Sequence, residues 1–287
     1  MSSTTLAATR AGNNALDNPG PGPTFLRVLN SEFIKFRTLM STLILLGSTA
    51  LVMVGFGALA AWGIGQLIHD SQGNPRAGGA LAAQGGDPLA VIPTSGISFA
   101  QLIIGSLAVL LMSSEFTTGM ARSTFAAVPR RLPAFFAKLA VVVVSAFVVT
   151  TGAALLAAVV AGPILNQYDL KLDLGTEHSL RLLIVSGLYV AAVAAIGMSL
   201  GTLIRNSAGG IMALVGLFFV LPIAFQLIPG DFFVEARKYL PDNLYQTITA
   251  ANHADGALEI WQAAAWLGLW VLVPLAISAV LLKKRDV

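Results

Sequence analysis

Residues 139–161 read LAVVVVSAFVVTTGAALLAAVVA, a run of 23 residues without a single Asp, Glu, Lys or Arg. At 1.5 Å per residue, about 20 helical residues cross the hydrocarbon core of a bilayer. A Lys or Arg at the centre of such a helix costs roughly 2.5–3.5 kcal/mol on insertion scales. The run is therefore typical of a membrane-spanning helix.

Five further stretches of the same kind lie along the chain, and each holds at least 22 residues without a charge. The fourth and fifth stretches are separated only by Arg205-Asn206-Ser207, which predicts a tight helical hairpin. We predict an all-α polytopic membrane protein with six transmembrane helices. The predicted spans lie near residues 42–64, 94–114, 139–161, 182–204, 208–228 and 262–282.

The composition supports a membrane protein and excludes several other classes. Of the 287 residues 56% are hydrophobic and only 11% are charged, whereas soluble domains carry about a quarter charged residues. The net charge is +3, but no basic stripe with interleaved aromatic residues accompanies it, so we expect no nucleic-acid partner. The chain has no cysteine, which excludes disulfides, thiol catalysis and thiolate metal sites.

The distribution of charge predicts an orientation. If the N-terminus is cytoplasmic, the inner segments hold 12 of the 17 basic residues, and the outer loops hold ten of the 14 acidic residues. The positive-inside rule then places both termini in the cytoplasm of a multi-pass protein of the bacterial plasma membrane. Residues 1–23 are polar and rich in Gly, Pro, Asn and Ser, which predicts a disordered cytoplasmic arm before a six-span domain over residues 24–287.

Two segments outside the spans have helical character. Residues 24–40 carry apolar side chains at intervals of three and four, which favours an amphipathic helix at the inner membrane surface. A plain extension of the first span is the alternative. Residues 229–261 form a long and aromatic outer segment, for which we predict an extracellular helical hairpin before the last span. The GxxxG pattern from Gly197 to Gly201 is consistent with close packing inside the bundle or with a dimer contact.

The connection between the second and third spans is the longest cytoplasmic loop and is basic. It contains Glu115, Gly119 and Arg122, followed by Arg130 and Arg131. A short helix at the membrane surface would expose Glu115 and Arg122 to a soluble partner. A basic tether that only satisfies the positive-inside rule is the other interpretation, and the loop chemistry alone leaves both open.

Several kinds of chemistry are missing from the sequence. No G-x-x-x-x-G-K-[ST] motif occurs, so the chain has no phosphate-binding loop for ATP hydrolysis. The three histidines lie in outer loops, and the spans hold no ionisable group of the kind that couples transport to an ion gradient. We expect no enzymatic activity, no metal and no cofactor in this chain. Gln101 and Gln226 are candidates for a translocation path, with a packing role as the alternative for each.

Four short motifs resemble a known family. Residues 31–38 (SEFIKFRT) are similar to its E-[WF]-x-K-[LF]-R-[ST] segment, and residues 114–122 (SEFTTGMAR) to its S-E-[YF]-x-x-G-x-x-R segment. Residues 128–131 (VPRR) continue the second match, and residues 239–241 (YLP) resemble a Leu-Pro element before the last span. The chain thus resembles the permease subunits of type-2 ATP-binding-cassette (ABC) exporters, particularly the small six-span permeases of actinobacteria.

This resemblance implies a non-catalytic transport subunit powered by another protein. Glu115, Gly119 and Arg122, with Arg130 and Arg131, would form a cytoplasmic coupling helix and its flank, which dock on the ATPase. Glu32, Lys35 and Arg37 would belong to a connecting helix. The implied partners are two copies of an ABC ATPase subunit, which would bind ATP and Mg²⁺, a second permease copy or paralogue, and membrane lipids. An ATP-independent carrier or channel, or a sensory or scaffolding subunit, is the alternative.

Overall fold

The computed structural model describes residues 24–71, 87–117, 131–252 and 256–284. These residues form helices joined by turns, so the predicted all-α fold is confirmed. In chain order the helices are α1 (Phe25–Thr38), α2 (Met40–Ser71), α3 (Ile97–Thr117), α4 (Arg131–Asn166), α5 (Glu177–Ile204), α6 (Ser207–Val215), α7 (Leu221–Leu227), α8 (Asp231–Arg237), α9 (Pro241–Thr249) and α10 (Ile260–Lys284). The predicted N-terminal arm lies outside the described residues.

Six segments are long and apolar enough to cross a membrane, which confirms the six predicted spans and indicates a multi-pass membrane protein. The first span is α2, and the second is α3 with the 3-10 turn Ile92–Thr94 before it. The third and fourth spans are α4 and α5, the fifth comprises α6 and α7, and the sixth is α10. Several helices are longer than the charge-free windows, because a helix continues beyond the hydrocarbon region until a cap or turn stops it.

The fourth span is the centre of the bundle. It packs against α3, α4, α6, α9 and α10. Of its most apolar stretch of 18 residues, 78% are buried, against 11% for the corresponding stretch of α10. The first span packs mainly against the second and third. The apolar side chains that stay exposed on the first, fifth and sixth spans suit contact with lipid hydrocarbon.

Two glycines allow the second and fourth spans to approach closely. A Cβ placed on Gly197 would lie 2.5 Å from the carbonyl oxygen of Gly105, and one on Gly201 would lie 2.7 Å from that of Val109. Both distances are shorter than a van der Waals contact, so the seam requires residues without a side chain. In this structure the GxxxG pattern serves packing within the chain.

The fifth span contains one irregular turn. A π turn, Gly216–Val220, joins α6 to α7, and Pro222 follows it in the first turn of α7. Proline has no N–H to donate and clashes with the carbonyl four residues before it in a regular α-helix. A π turn holds one extra residue and changes the hydrogen-bond pattern at that position, which accommodates the proline.

Two short helices, α8 and α9, occupy the segment for which the sequence predicts a helical hairpin. Pro241 begins α9, and proline suits the first helical turn, because its missing N–H would be unpaired there anyway. Leu244 and Ile248 then bury α9 against the bundle, where α9 contacts α5 and α10.

The helix α1 packs against the third span. Its buried face consists of Val28, Glu32 and Phe36, spaced four residues apart. Of the apolar residues that recur at intervals of three and four in the sequence, Phe36 is on this buried face, whereas Phe33 is exposed. The charged residue Glu32 thus lies at the centre of the packed face of α1, where the pattern of the sequence predicts an apolar one.

Candidate functional site

Four charged side chains meet at the end of the bundle where α1 lies, which we call the α1 end. Lys138 Nζ lies 2.6 Å from Glu32 Oε2 and 2.8 Å from Glu115 Oε1. Lys35 Nζ lies 3.0 Å from Glu32 Oε1. We call these residues the ionic cluster. Its two carboxylates and two ammonium groups balance each other, and they join α1 to the second and third spans.

Small residues on α4 allow the cluster to be buried. Ala134 and Ala137 of α4 pack under Val28, so the backbone of α1 comes close enough for Glu32 to reach Lys138. The side chain of Glu32 is 4% exposed and that of Lys138 is 12% exposed. Ion pairs with so little access to water are screened weakly by salt.

The partners determine the ionisation of Glu32. Burial alone would raise the pKa of its carboxyl, but the ammonium groups of Lys138 and Lys35 outweigh burial and lower the pKa below its ordinary value. Glu115 lies in the last turn of α3, where the helix dipole disfavours a negative charge. Lys138 offsets that disadvantage, because it pairs with the Glu115 carboxylate directly.

A second contact ties the fourth and fifth spans to the same place. Arg205 adopts a left-handed conformation, with φ of 56°, at the C-terminal end of α5, and its guanidinium lies 4.8 Å from the ring centre of Phe116. Asn206 caps α6 by accepting a hydrogen bond from the N–H of Gly209. Adjacent residues Glu115 and Phe116 therefore contact two different parts of the bundle, at the end of α3.

A crevice of about 220 Å³ opens beside the ionic cluster. Its charged lining comprises Glu32, Lys35, Glu115 and Lys138, and apolar side chains such as Phe36 and Leu111 complete its walls. The cluster is thus covered by protein on most sides but borders a surface opening at the α1 end.

A neutral network lies at the opposite end, which we call the α9 end. The Tyr189 hydroxyl donates to Gln101 Oε1 over 2.6 Å, and the rings of Tyr189 and Tyr245 stack with centroids 4.7 Å apart. Ser186 donates to the Leu182 carbonyl, so the Tyr245 hydroxyl donates to Ser186 Oγ, 2.9 Å away. We call Gln101, Ser186, Tyr189 and Tyr245 the tyrosine network. It joins α3, α5 and α9.

The structure brings together only part of the predicted site. Glu32, Lys35 and Glu115 meet in the ionic cluster, whereas Arg37 is exposed outside it. Gln101 is buried in the tyrosine network, whereas Gln226 is exposed on α7 and makes no contact among the described residues that places it there. The remaining predicted residues cannot be placed in the same way: Gly119, Arg122 and Arg130 lie outside the described residues, and Arg131 is described only as the first residue of α4.

Sequence reasoning missed Lys138, Phe116, Arg205 and the two tyrosines. A lysine at the edge of a span ordinarily marks topology, and the sequence gives Lys138 no other distinguishing signal. Tyr189 and Gln101 are separated by 88 residues, so no local pattern relates them.

The fold and these two polar sites define a six-span membrane protein with an ionic cluster at one end and a neutral network at the other. Comparison of the chain with models of known protein families and with curated proteins gives no match. Among the described residues, no group of three His, Asp or Glu is arranged to hold a metal ion.

Proposed function

We propose that this chain is the membrane-spanning permease subunit of an ABC exporter. It would form the translocation path as a dimer, and a separate ATPase, which binds ATP and Mg²⁺, would supply the energy. In the proposed orientation the α1 end faces the cytoplasm and the α9 end faces outward. The observation that carries the proposal is the ionic cluster, because it joins residues from two of the four motifs that resemble the exporter family.

The position of the cluster suits the transmission of force. Residues 118–130 belong to the predicted cytoplasmic loop; Glu115 stands three residues before this segment, and Lys138 stands eight residues after its end. A displacement of that loop by a docked ATPase would reach the second span through Glu115 and the third span through Lys138. Glu32 would carry it to α1, and the contact of Phe116 with Arg205 would carry it to the turn between the fourth and fifth spans.

The described spans also favour an external source of energy. Their charged residues lie within about two turns of a helix end, and the polar groups at greater depth are neutral, as in the tyrosine network. Carriers driven by ion gradients usually keep an ionisable group at membrane depth. A hydrophobic or amphipathic cargo, such as a drug, a lipid or a peptide, suits these neutral spans.

The first test is biochemical. The tagged chain is coexpressed with the product of the adjacent gene, as the candidate ATPase, then purified and reconstituted in liposomes. We expect the ATPase to copurify and vesicle transport to require ATP, with a Walker-lysine variant of the ATPase as the inactive control. Transport by the chain without nucleotide, and without any copurifying ATPase, would identify an ATP-independent carrier or channel instead.

The second test locates the contact. Because the chain lacks cysteine, Thr118→Cys and Arg122→Cys introduce single thiols without removal of native ones. We expect both to crosslink to the ATPase, whereas Lys171→Cys, exposed on the turn after α4, should not. An intact complex in which neither loop position crosslinks would rule out this loop as the docking element.

A further inference from the structure

A cavity of about 590 Å³ opens at the α9 end of the bundle. It lies between α2, the start of α3, the start of α5 and the helix α9. Sites for small molecules typically enclose about 300–1,000 Å³. The cavity is separate from the ionic cluster. The cavity borders the start of α3, whereas the cluster lies at the other end of that helix, beside the start of α4.

The lining combines apolar walls with a few polar groups. Ile64, Ile97 and Leu182 contribute apolar surface, and Thr94 and Gln246 contribute hydrogen-bonding groups. A pocket of this kind binds a molecule that has an apolar body and a small number of polar features. A purely hydrophilic solute would leave the apolar walls in contact with water.

The charges around the cavity are predominantly negative. Asp87 and Asp242 both line it, and the described lining residues include no Lys or Arg. Arg181 is not a lining residue, but both of its contacts are: its Nη2 donates to the carbonyl of Ala250 over 2.7 Å and lies 3.4 Å from His178 Nδ1. Its single positive charge therefore stands beside the wall of the cavity, against the two carboxylates of Asp87 and Asp242. The cavity therefore presents excess negative charge even when Arg181 is included.

Of the two carboxylates, that of Asp242 is the better placed to interact with a bound cation. Gln246 Nε2 donates to its Oδ2 over 2.9 Å, and among the described residues no ion pair involves Asp242. Burial raises the pKa of the Asp242 carboxyl, and the hydrogen bond from Gln246 offsets only part of that effect. A partly buried carboxylate without an ion-pair partner gains from a cation that arrives with its ligand.

We propose that this cavity binds an organic cation with an apolar body, whose positive charge lies beside Asp242. That the bound cation is also the transported cargo rests on the proposed function; in that case organic cations are the chemical class of the cargo. Binding itself requires no ATPase, so failure of the cavity and failure of the exporter function are distinguishable.

The test measures binding of tetraphenylphosphonium to the full chain in lipid nanodiscs by equilibrium dialysis, with empty nanodiscs subtracted. We expect saturable binding with one site per chain. Asp242→Asn should weaken it about tenfold, the effect of losing roughly 1.4 kcal/mol of interaction. The matched control Asp231→Asn changes an exposed aspartate of α8 that does not line the cavity, and should leave affinity within about twofold.

Two further measurements keep the result interpretable. Asp242→Glu retains the charge and should keep most of the affinity, and Ser98→Trp, which places a large ring in the lining, should abolish binding whatever the charge. If Asp242→Asn does not yield folded protein, these two variants decide the question. Absence of saturable binding, or equal affinities in Asp242→Asn and Asp231→Asn, would overturn the proposal. ATP-dependent transport of the cation by the full complex then tests its role as cargo separately.

Discussion

The two ends of the bundle are held together by different physical means. The ionic cluster joins α1, the second span and the third span through buried charges, whereas the tyrosine network joins the second span, the fourth span and α9 through neutral hydrogen bonds and a ring stack. Separating a buried ion pair strands charges in a medium of low dielectric, but separating neutral groups costs much less. The α1 end should therefore move as one unit, while α9 is the part that can rearrange.

The largest effect should come from the central lysine of the ionic cluster. Lys138→Met leaves two buried carboxylates without their shared cation, which we expect to cost about 3–5 kcal/mol of stability. Lys35→Met is the matched control, because that side chain is 48% exposed and should contribute at most about 1 kcal/mol. The measurement is the temperature at which monodisperse protein is lost on heating in detergent. Equal melting temperatures for the two variants would contradict a central role for Lys138.

The triple change Glu32→Gln, Glu115→Gln and Lys138→Met sharpens that result. Since all three buried charges are then removed together, much of the lost stability should return. No recovery would indicate that Lys138 stabilises the bundle through packing of its alkyl chain rather than through its charge.

A smaller effect is expected in the tyrosine network. Gln101→Leu removes the acceptor of the Tyr189 hydroxyl and leaves a buried donor unpaired, at a cost of about 1–3 kcal/mol. Gln226→Leu makes the same substitution at an exposed position of the fifth span and should be nearly neutral. The same heating assay compares them. A larger loss in Gln226→Leu would mean that this face is covered in the assembled protein.

The mobility of the two ends can be compared by the labelling rates of single introduced cysteines, since the chain has no native thiol. Ile248 on α9 and Val28 on α1 are matched in burial, at 8% and 7% exposure. We expect Ile248→Cys to react with a water-soluble maleimide about tenfold faster than Val28→Cys, because opening of α9 costs less free energy. Adding Lys138→Met should accelerate labelling at Val28→Cys alone. Equal rates in the otherwise unchanged chain would remove the proposed contrast between the two ends.

The smallest effect concerns one hydrogen bond. Tyr245→Phe keeps the ring stack but removes the bond to Ser186, which should cost about 0.5–1.5 kcal/mol. A double-mutant cycle with Ser186→Ala isolates that bond, and we expect a coupling energy of about 1 kcal/mol. Strictly additive effects would show that the two hydroxyl groups do not interact.

The fold was predictable to a greater extent than the site. Six charge-free windows are enough to predict six spans, since a bilayer excludes charges from the middle of a helix. The helix ends depend on caps and turns, which is why α4 extends to Asn166 rather than ending near residue 161. Glu32, Lys35 and Glu115 could be singled out from motifs, but their convergence on Lys138 depends on tertiary packing. The pairing of Gln101 with Tyr189 depends on the same packing and has no local signature.

The π turn of the fifth span changes the direction in which the side chains after it point. An α-helical residue advances about 100° around the axis, and the π turn Gly216–Val220 contains one residue more than a regular turn would. Every side chain of α7 is therefore rotated by about that angle from where a straight helix beginning at Ser207 would present it. Deletion of one residue within the turn would restore the regular winding, and Gln226 would then face a different neighbour in the bilayer.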